Sequence, residues 1–157
     1  MSSISSILES NSEHYKVLLK AGDVAKKQKI SCYLVGGYVR DMLLKRDTKD
    51  IDIMVEGDAI SYAQMLSKSL GNPPVVEFKE FRTARIPFKD FEIEIASARE
   101  ESYSKDSRNP EVTLTTFKND MSRRDFTINA IAASILPDTF GELHDPFGGI
   151  KDLQRGL

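Results

Sequence analysis

The segment Asp50-Ile51-Asp52-Ile53-Met54-Val55 opens by alternating acid and aliphatic residues, and this pattern constrains the fold more than any other in the chain. Side chains on a β-strand point alternately to opposite faces, so Asp50 and Asp52 fall on one face and Ile51, Ile53 and Val55 on the other. The aliphatic side must be buried. The acidic side must therefore look away from the core, with the Asp50 and Asp52 Cα atoms about 6.5–7 Å apart. Two carboxylates about 4–6 Å apart repel by roughly 3–4 kcal/mol at an effective dielectric near 20. A divalent cation between them relieves that repulsion, and hard oxygen ligands favour Mg²⁺, which also takes substrate phosphates as ligands.

A second strand pattern, Phe91-Glu92-Ile93-Glu94-Ile95-Ala96-Ser97, places Glu92 and Glu94 on one side and Phe91, Ile93 and Ile95 on the other. If the two strands are neighbours, Glu94 is a third carboxylate for the same cluster. Upstream, Val35-Gly36-Gly37-Tyr38-Val39-Arg40-Asp41 reads as a strand end, a glycine turn and a helix start. Glycines let backbone amides approach a phosphate closely. Arg40 adds a charge-assisted partner for a triphosphate. No Walker or Rossmann glycine pattern is present. Further on, Arg123, Arg124 and Asp125 cluster where a helix is expected to begin; arginines there can clamp phosphate and Asp125 can accept from a ribose hydroxyl.

Around these segments the pattern is that of one α/β domain with a mixed sheet. Helices are expected over 13–29 (Val17, Leu18, Ala21, Val24 and Ala25 inward), 38–44, 58–70 (Ala59, Ile60, Ala63, Leu66 and Leu70 inward) and 122–133. Strands are expected over 32–35, 50–55, 75–79, 82–88 and 91–97, with a tight hairpin at Lys89-Asp90. A further strand is expected within 132–136, pairing with 140–143, and the polar stretch 99–109 reads as a loop. Residues 1–30 read as an N-terminal helical extension and 31–157 as the main domain. The 157 residues suffice for a single core.

The net charge of −2, from 22 basic and 24 acidic residues, does not mark a general polyanion binder. No apolar run is long enough to span a membrane, and the N-terminus lacks the pattern of a secretory signal. With a single cysteine, Cys32, no internal disulfide can form, and a cytoplasmic setting is expected. Cys32, His14 and His144 read as structural residues.

In this order, five segments resemble the tRNA nucleotidyltransferase/poly(A) polymerase family, the class II CCA-adding enzymes. They are Leu34–Leu44 around the double glycine, Lys49–Ile53, Glu94-Ile95-Ala96-Ser97-Ala98-Arg99, Arg123–Ala130 and Asp145-Pro146-Phe147-Gly148-Gly149. The resemblance implies a DNA polymerase beta-like nucleotidyltransferase head: a mixed or antiparallel sheet flanked by helices, performing two-metal transfer of a nucleoside monophosphate to an RNA 3′ end.

It further implies Asp50 and Asp52 as metal ligands, Glu94 as a third catalytic acid, and Gly36, Gly37 and Arg40 as the triphosphate turn. Arg123, Arg124, Asp125 and Asn129 become nucleotide contacts, and 100–118 the family's flexible loop. Mg²⁺ is the implied cofactor, ATP and CTP the substrates, and tRNA or another RNA 3′ end the partner.

Family members are longer. They carry an Asp-x-x-Arg base-reading pattern in the neck that follows the last of these segments, and further domains that grip the RNA. The chain is therefore expected to be part of a longer protein. A poly(A) polymerase, an A-adding or CC-adding specialist, and a non-catalytic NTP- or RNA-binding module remain alternatives.

Overall fold

The structure is a computed structural model that describes residues 3–9, 12–44, 50–102, 111–114, 131–145 and 149–154. Helices α1 (Ser5–Glu9) and α2 (Ser12–Gln28) lead into β1 (Cys32–Val35) and α3 (Gly37–Leu43). Then come β2 (Ile51–Val55), α4 (Ala59–Ser69), β3 (Val76–Phe78), a 3-10 turn (Lys79–Phe81), β4 (Thr83–Phe88) and β5 (Phe91–Ser97). The remaining described elements are β6 (Arg99–Ser102), β7 (Glu111–Leu114), β8 (Ala132–Ser134), a 3-10 turn (Pro137–Thr139), β9 (Leu143–His144) and α5 (Gly149–Gln154).

Seven of these strands form one mixed sheet in the order β3-β4-β5-β2-β1-β8-β9. The β2·β5 pairing is parallel and the other ladders are antiparallel. Strand periodicity sorts the sheet's residues. Cys32 and Leu34 of β1, Ile51, Ile53 and Val55 of β2, Ala84 and Ile86 of β4, and Phe91, Ile93 and Ile95 of β5 all enter one hydrophobic core. The helices close that core with Leu8, Val17, Leu18, Ala21, Val24, Ala25, Tyr38, Val39, Ala59, Ala63 and Leu66. Helices α1 and α2 thus share the core of the sheet, although the sequence reads them as an extension. A second, smaller buried cluster joins Val35, Met54, Ala98 and Ala132.

All five inward positions expected on α2 are buried, as are Ala59, Ala63 and Leu66 on α4, while Ile60 and Leu70 are half-buried. Tyr62 and Ser67 are buried α4 residues that apolar spacing overlooks; the Tyr62 hydroxyl donates to the Ala21 carbonyl at 2.7 Å and lies 3.4 Å from Cys32 Sγ. Asp58 caps α4 through a 3.1 Å bond accepted from the Ile60 N–H. Cys32 is buried, and desolvation pushes its thiol up to about 12 despite the Tyr62 contact, so it is a core residue.

Two expectations require correction. The stretch 99–109 is not wholly loop, because Arg99–Ser102 pairs antiparallel with Glu111–Leu114 through backbone bonds that polar side chains do not announce. The helix expected over 122–133 does not extend through its last two positions. Ala132 and Ala133 are strand residues paired with β1, where sheet hydrogen bonding outweighs the helical preference of alanine. Residues 122–130 lie outside the described residues. The pairing expected between 132–136 and 140–143 is present as β8·β9.

Helix α2 crosses β8's end at Gly22, where a Cβ would collide with the carbonyl oxygen of Ile135. Gly22→Ala should therefore destabilise the fold by about 1–3 kcal/mol in urea unfolding, as overpacking does elsewhere. Unchanged stability would mean that α2 does not sit this close.

A carboxylate-lined cleft on the open side of the sheet

The site begins with strand register. Ile51 pairs with Ile93 and Asp52 with Glu94 across the parallel β2·β5 ladder, so their aliphatic neighbours face the core while both acids face away from it. Beside β2, β1 ends at Val35 and the chain turns through Gly36, whose φ of 64° and ψ of −136° fall in a region essentially confined to glycine. Gly37 then starts α3. A Cβ at Gly37 would lie 3.2 Å from Arg40 Nη2, so the Arg40 guanidinium folds back over the turn. Arg40 Nε also pairs with Asp41 Oδ1 at 3.2 Å.

These elements border a cleft of about 590 Å³ lined by Val35, Gly36, Gly37, Asp52, Phe78, Phe81, Thr83, Arg85 and Glu94, among others. The sequence-derived residues Gly36, Gly37, Asp52 and Glu94 are thus brought together. Asp50 stands one residue before β2 begins, is exposed, and accepts the Glu92 backbone N–H at 3.1 Å. It marks the strand entrance and is not among the cleft's lining residues. Arg123, Arg124, Asp125 and Asn129 lie outside the described residues.

Arg85, Phe78 and Phe81 are among the lining residues that escaped the sequence reading. Arg85 on β4 pairs in register with Glu94, its Nη2 3.2 Å from Glu94 Oε1 and its Nε 3.4 Å from Glu92 Oε2. Phe78 lies below the Arg85 guanidinium, whose Cζ is 5.8 Å from the ring centroid. Phe78 and Phe81 are 39% and 56% exposed, unusual for phenylalanine beside a polar cleft. The signal for Arg85 was present: a hairpin turning at Lys89-Asp90 pairs 88 with 91 and hence 85 with 94.

Behind the turn, His14 of α2 supports α3. Its Nδ1 lies 3.1 Å from the Tyr38 hydroxyl and its ring packs 4.6 Å from the Phe91 ring, centroid to centroid. Burial lowers the His14 pKa below its usual 6.5, outweighing the opposing pull of Glu13, Asp90 and Asp50. His144 packs edge-on against Tyr33, and Asp145 accepts the backbone N–H groups of Gly149 and Ile150 at 2.6 and 2.9 Å, capping α5. Both histidines thus pack against aromatic rings.

Among the described residues no group of three or more Asp, Glu, His or Cys side chains is placed to hold a metal ion together. The available donors are carboxylate oxygens, with Asp52 and Glu94 on paired strands and Asp50 at the strand entrance.

Comparison with known proteins fits this geometry. Residues 32–157 match the family described as the poly(A) polymerase head domain. The chain belongs to that family. An A-adding tRNA nucleotidyltransferase from Halalkalibacterium halodurans is 39% identical over 146 residues, covering 92% of this chain and 34% of that protein. The solved structure of a CCA-adding enzyme in apo form II superposes with a TM-score of 0.89 at 36% identity, over 98% of this chain and 37% of the other. A tRNA nucleotidyltransferase complexed with a primer tRNA and an incoming ATP analogue gives 0.71 at 39% identity, over 85% of this chain and 36% of that one. The chain spans about a third of the length of each of these three proteins. As a poly(A) polymerase-type head it has the expected mixed α/β architecture. No helix among the described residues is long and apolar enough to cross a membrane.

The lowered His14 pKa fixes the sign of a pH effect. The neutral ring's contribution to stability is complete above pH 6.5, because both states are then unprotonated. Below that, the unfolded chain binds a proton more readily than the native one, and stability is lost as pH falls toward the native pKa. Urea unfolding between pH 7.5 and 5 should show this loss, and His14→Gln should flatten it. An identical slope in the variant would remove His14 from the account.

Proposed function

We propose that this chain is the catalytic head of a template-independent RNA nucleotidyltransferase, transferring a nucleoside monophosphate from ATP or CTP to the 3′ hydroxyl of tRNA. The observation that carries the reading is the pairing of Asp52 with Glu94 on parallel strands, facing one cleft with the Gly36-Gly37 turn. Family membership supports it, as do relatives that are A-adding and CCA-adding enzymes. An A-only, CC-only or poly(A) activity would use the same cleft.

In this reading Gly36 and Gly37 bring backbone amides to the triphosphate, since no side chain intervenes, and Arg40 adds a cation above the turn. Asp50 and Asp52 would hold magnesium, which when bound supplies charge neutralisation at the reacting phosphate and acidifies the attacking hydroxyl. Glu94 adds a third negative group at the cleft. Arg123, Arg124, Asp125 and Asn129 are assigned to the nucleotide from the family motif. The acceptor O3′ forms its bond to the α-phosphorus as the bond to pyrophosphate breaks, the hydroxyl proton passing to solvent. No enzyme nucleophile is needed, so the chain's contribution is alignment and electrostatics.

Isothermal calorimetry of this chain with ATP should give binding that requires Mg²⁺ and is lost in Asp50→Ala. Metal-independent binding, or full binding by that variant, would sink the assignment. In nucleotide incorporation onto a tRNA lacking its 3′ end, Asp52→Asn should lower the rate at least ~10³-fold, about 4 kcal/mol of barrier. Arg40→Ala should raise the KM for nucleotide while changing kcat less; an unchanged KM would take Arg40 off the triphosphate.

A further inference from the structure

We propose that Arg85 is a positioning residue that competes with the divalent cation for Glu94, holding that carboxylate while the cleft lacks metal and yielding it when metal enters. The inference rests on the magnesium reading of the cleft. Glu94 lies between two neighbours of opposite charge: register places Arg85 beside it on β4 and Asp52 beside it on β2. All three line the same cleft. A carboxylate so placed can be drawn to the arginine on one side or to a cation at Asp52 on the other.

The Arg85 contacts are suited to exchange. One guanidinium nitrogen reaches each acid, Nη2 to Glu94 and Nε to Glu92, so neither receives the two parallel bonds that make arginine–carboxylate pairs strong. The Nε atom is buried yet makes no hydrogen bond, its 3.4 Å approach to Glu92 being an ion pair only. The Arg85, Glu92 and Glu94 side chains are each more than 40% exposed, where ion pairs are weak. The guanidinium also keeps a seat after Glu94 leaves, over the Phe78 ring and near Glu92. The exchange therefore needs only a side-chain movement of Glu94, with β4 and β5 fixed by their ladder.

The test is a titration of the chain with Mn²⁺ alone, followed by electron paramagnetic resonance of the free ion. Removing a positive charge that holds Glu94 should tighten binding, so Arg85→Gln is expected to lower the Mn²⁺ Kd about tenfold. Arg85→Lys, which keeps the charge, should stay near wild type. The gain should largely vanish when Glu94→Gln is added, because it acts through that carboxylate. Unchanged or weaker binding in folded Arg85→Gln, or the same gain in the double variant, would overturn the proposal. Wild-type protein gives an independent readout: the Arg85 Nε–H NMR signal should move as Mg²⁺ saturates the site, and a stationary signal would also overturn it. Asp52→Asn separates the two levels. Mn²⁺ binding that survives this change would refute the magnesium reading itself, whereas binding lost there but indifferent to Arg85 would refute only the exchange.

Discussion

The parallel ladder between β2 and β5 is the constraint on which the rest of the molecule depends. Its register sets Ile51 against Ile93 and Ile53 against Ile95, so four aliphatic side chains enter the core together. Burying each contributes roughly 1.5–3 kcal/mol relative to exposure. A one-residue slip would turn Asp52 and Glu94 into that core and carry the isoleucines out of it, at a cost no local contact could offset. The position of the acids at the cleft is therefore a consequence of core packing. The same packing couples stability to function: helices on one face hold the sheet, and the other face is left to carry charge.

Charge placement follows the same logic. Asp52 is half-buried beside Glu94, and Asp50 accepts a backbone N–H from the strand that carries Glu94. Arg85 balances part of this negative charge from the far side of β5. The glycine turn contributes differently. Gly36 adopts a backbone conformation closed to other residues, and Gly37 makes room for the Arg40 guanidinium, so the turn offers amides and a cation with little bulk. His14, packed on Phe91 and hydrogen-bonded to Tyr38, ties α2 to α3 and the end of the sheet behind that turn.

Most of this was legible in the chain because periodicity reports burial. The alternations at 50–55 and 91–97 located both acidic strands, and the Lys89-Asp90 turn fixed the hairpin from which the Arg85–Glu94 pair follows by counting. Periodicity fails where backbone pairing decides. Arg99–Ser102 has no apolar side to display, and Ala132-Ala133 has no strand-forming side chains, yet each completes a ladder. Asp50 precedes the first residue of β2, so its carboxylate is set by the bond it accepts from the Glu92 N–H rather than by strand alternation. Tyr62 was overlooked because its burial depends on a hydroxyl finding the Ala21 carbonyl, a match that apolar spacing does not encode.

The central claim is that a cation and a triphosphate meet between the acidic strands and the glycine turn. A crystal of the chain grown with Mn²⁺ and a non-hydrolysable ATP analogue, with anomalous diffraction collected above the manganese edge, measures this directly. The account predicts a manganese peak within coordination distance of the Asp50 and Asp52 carboxylates, with the phosphates over Gly36 and Gly37. Manganese elsewhere, or a triphosphate bound away from that turn, would contradict it.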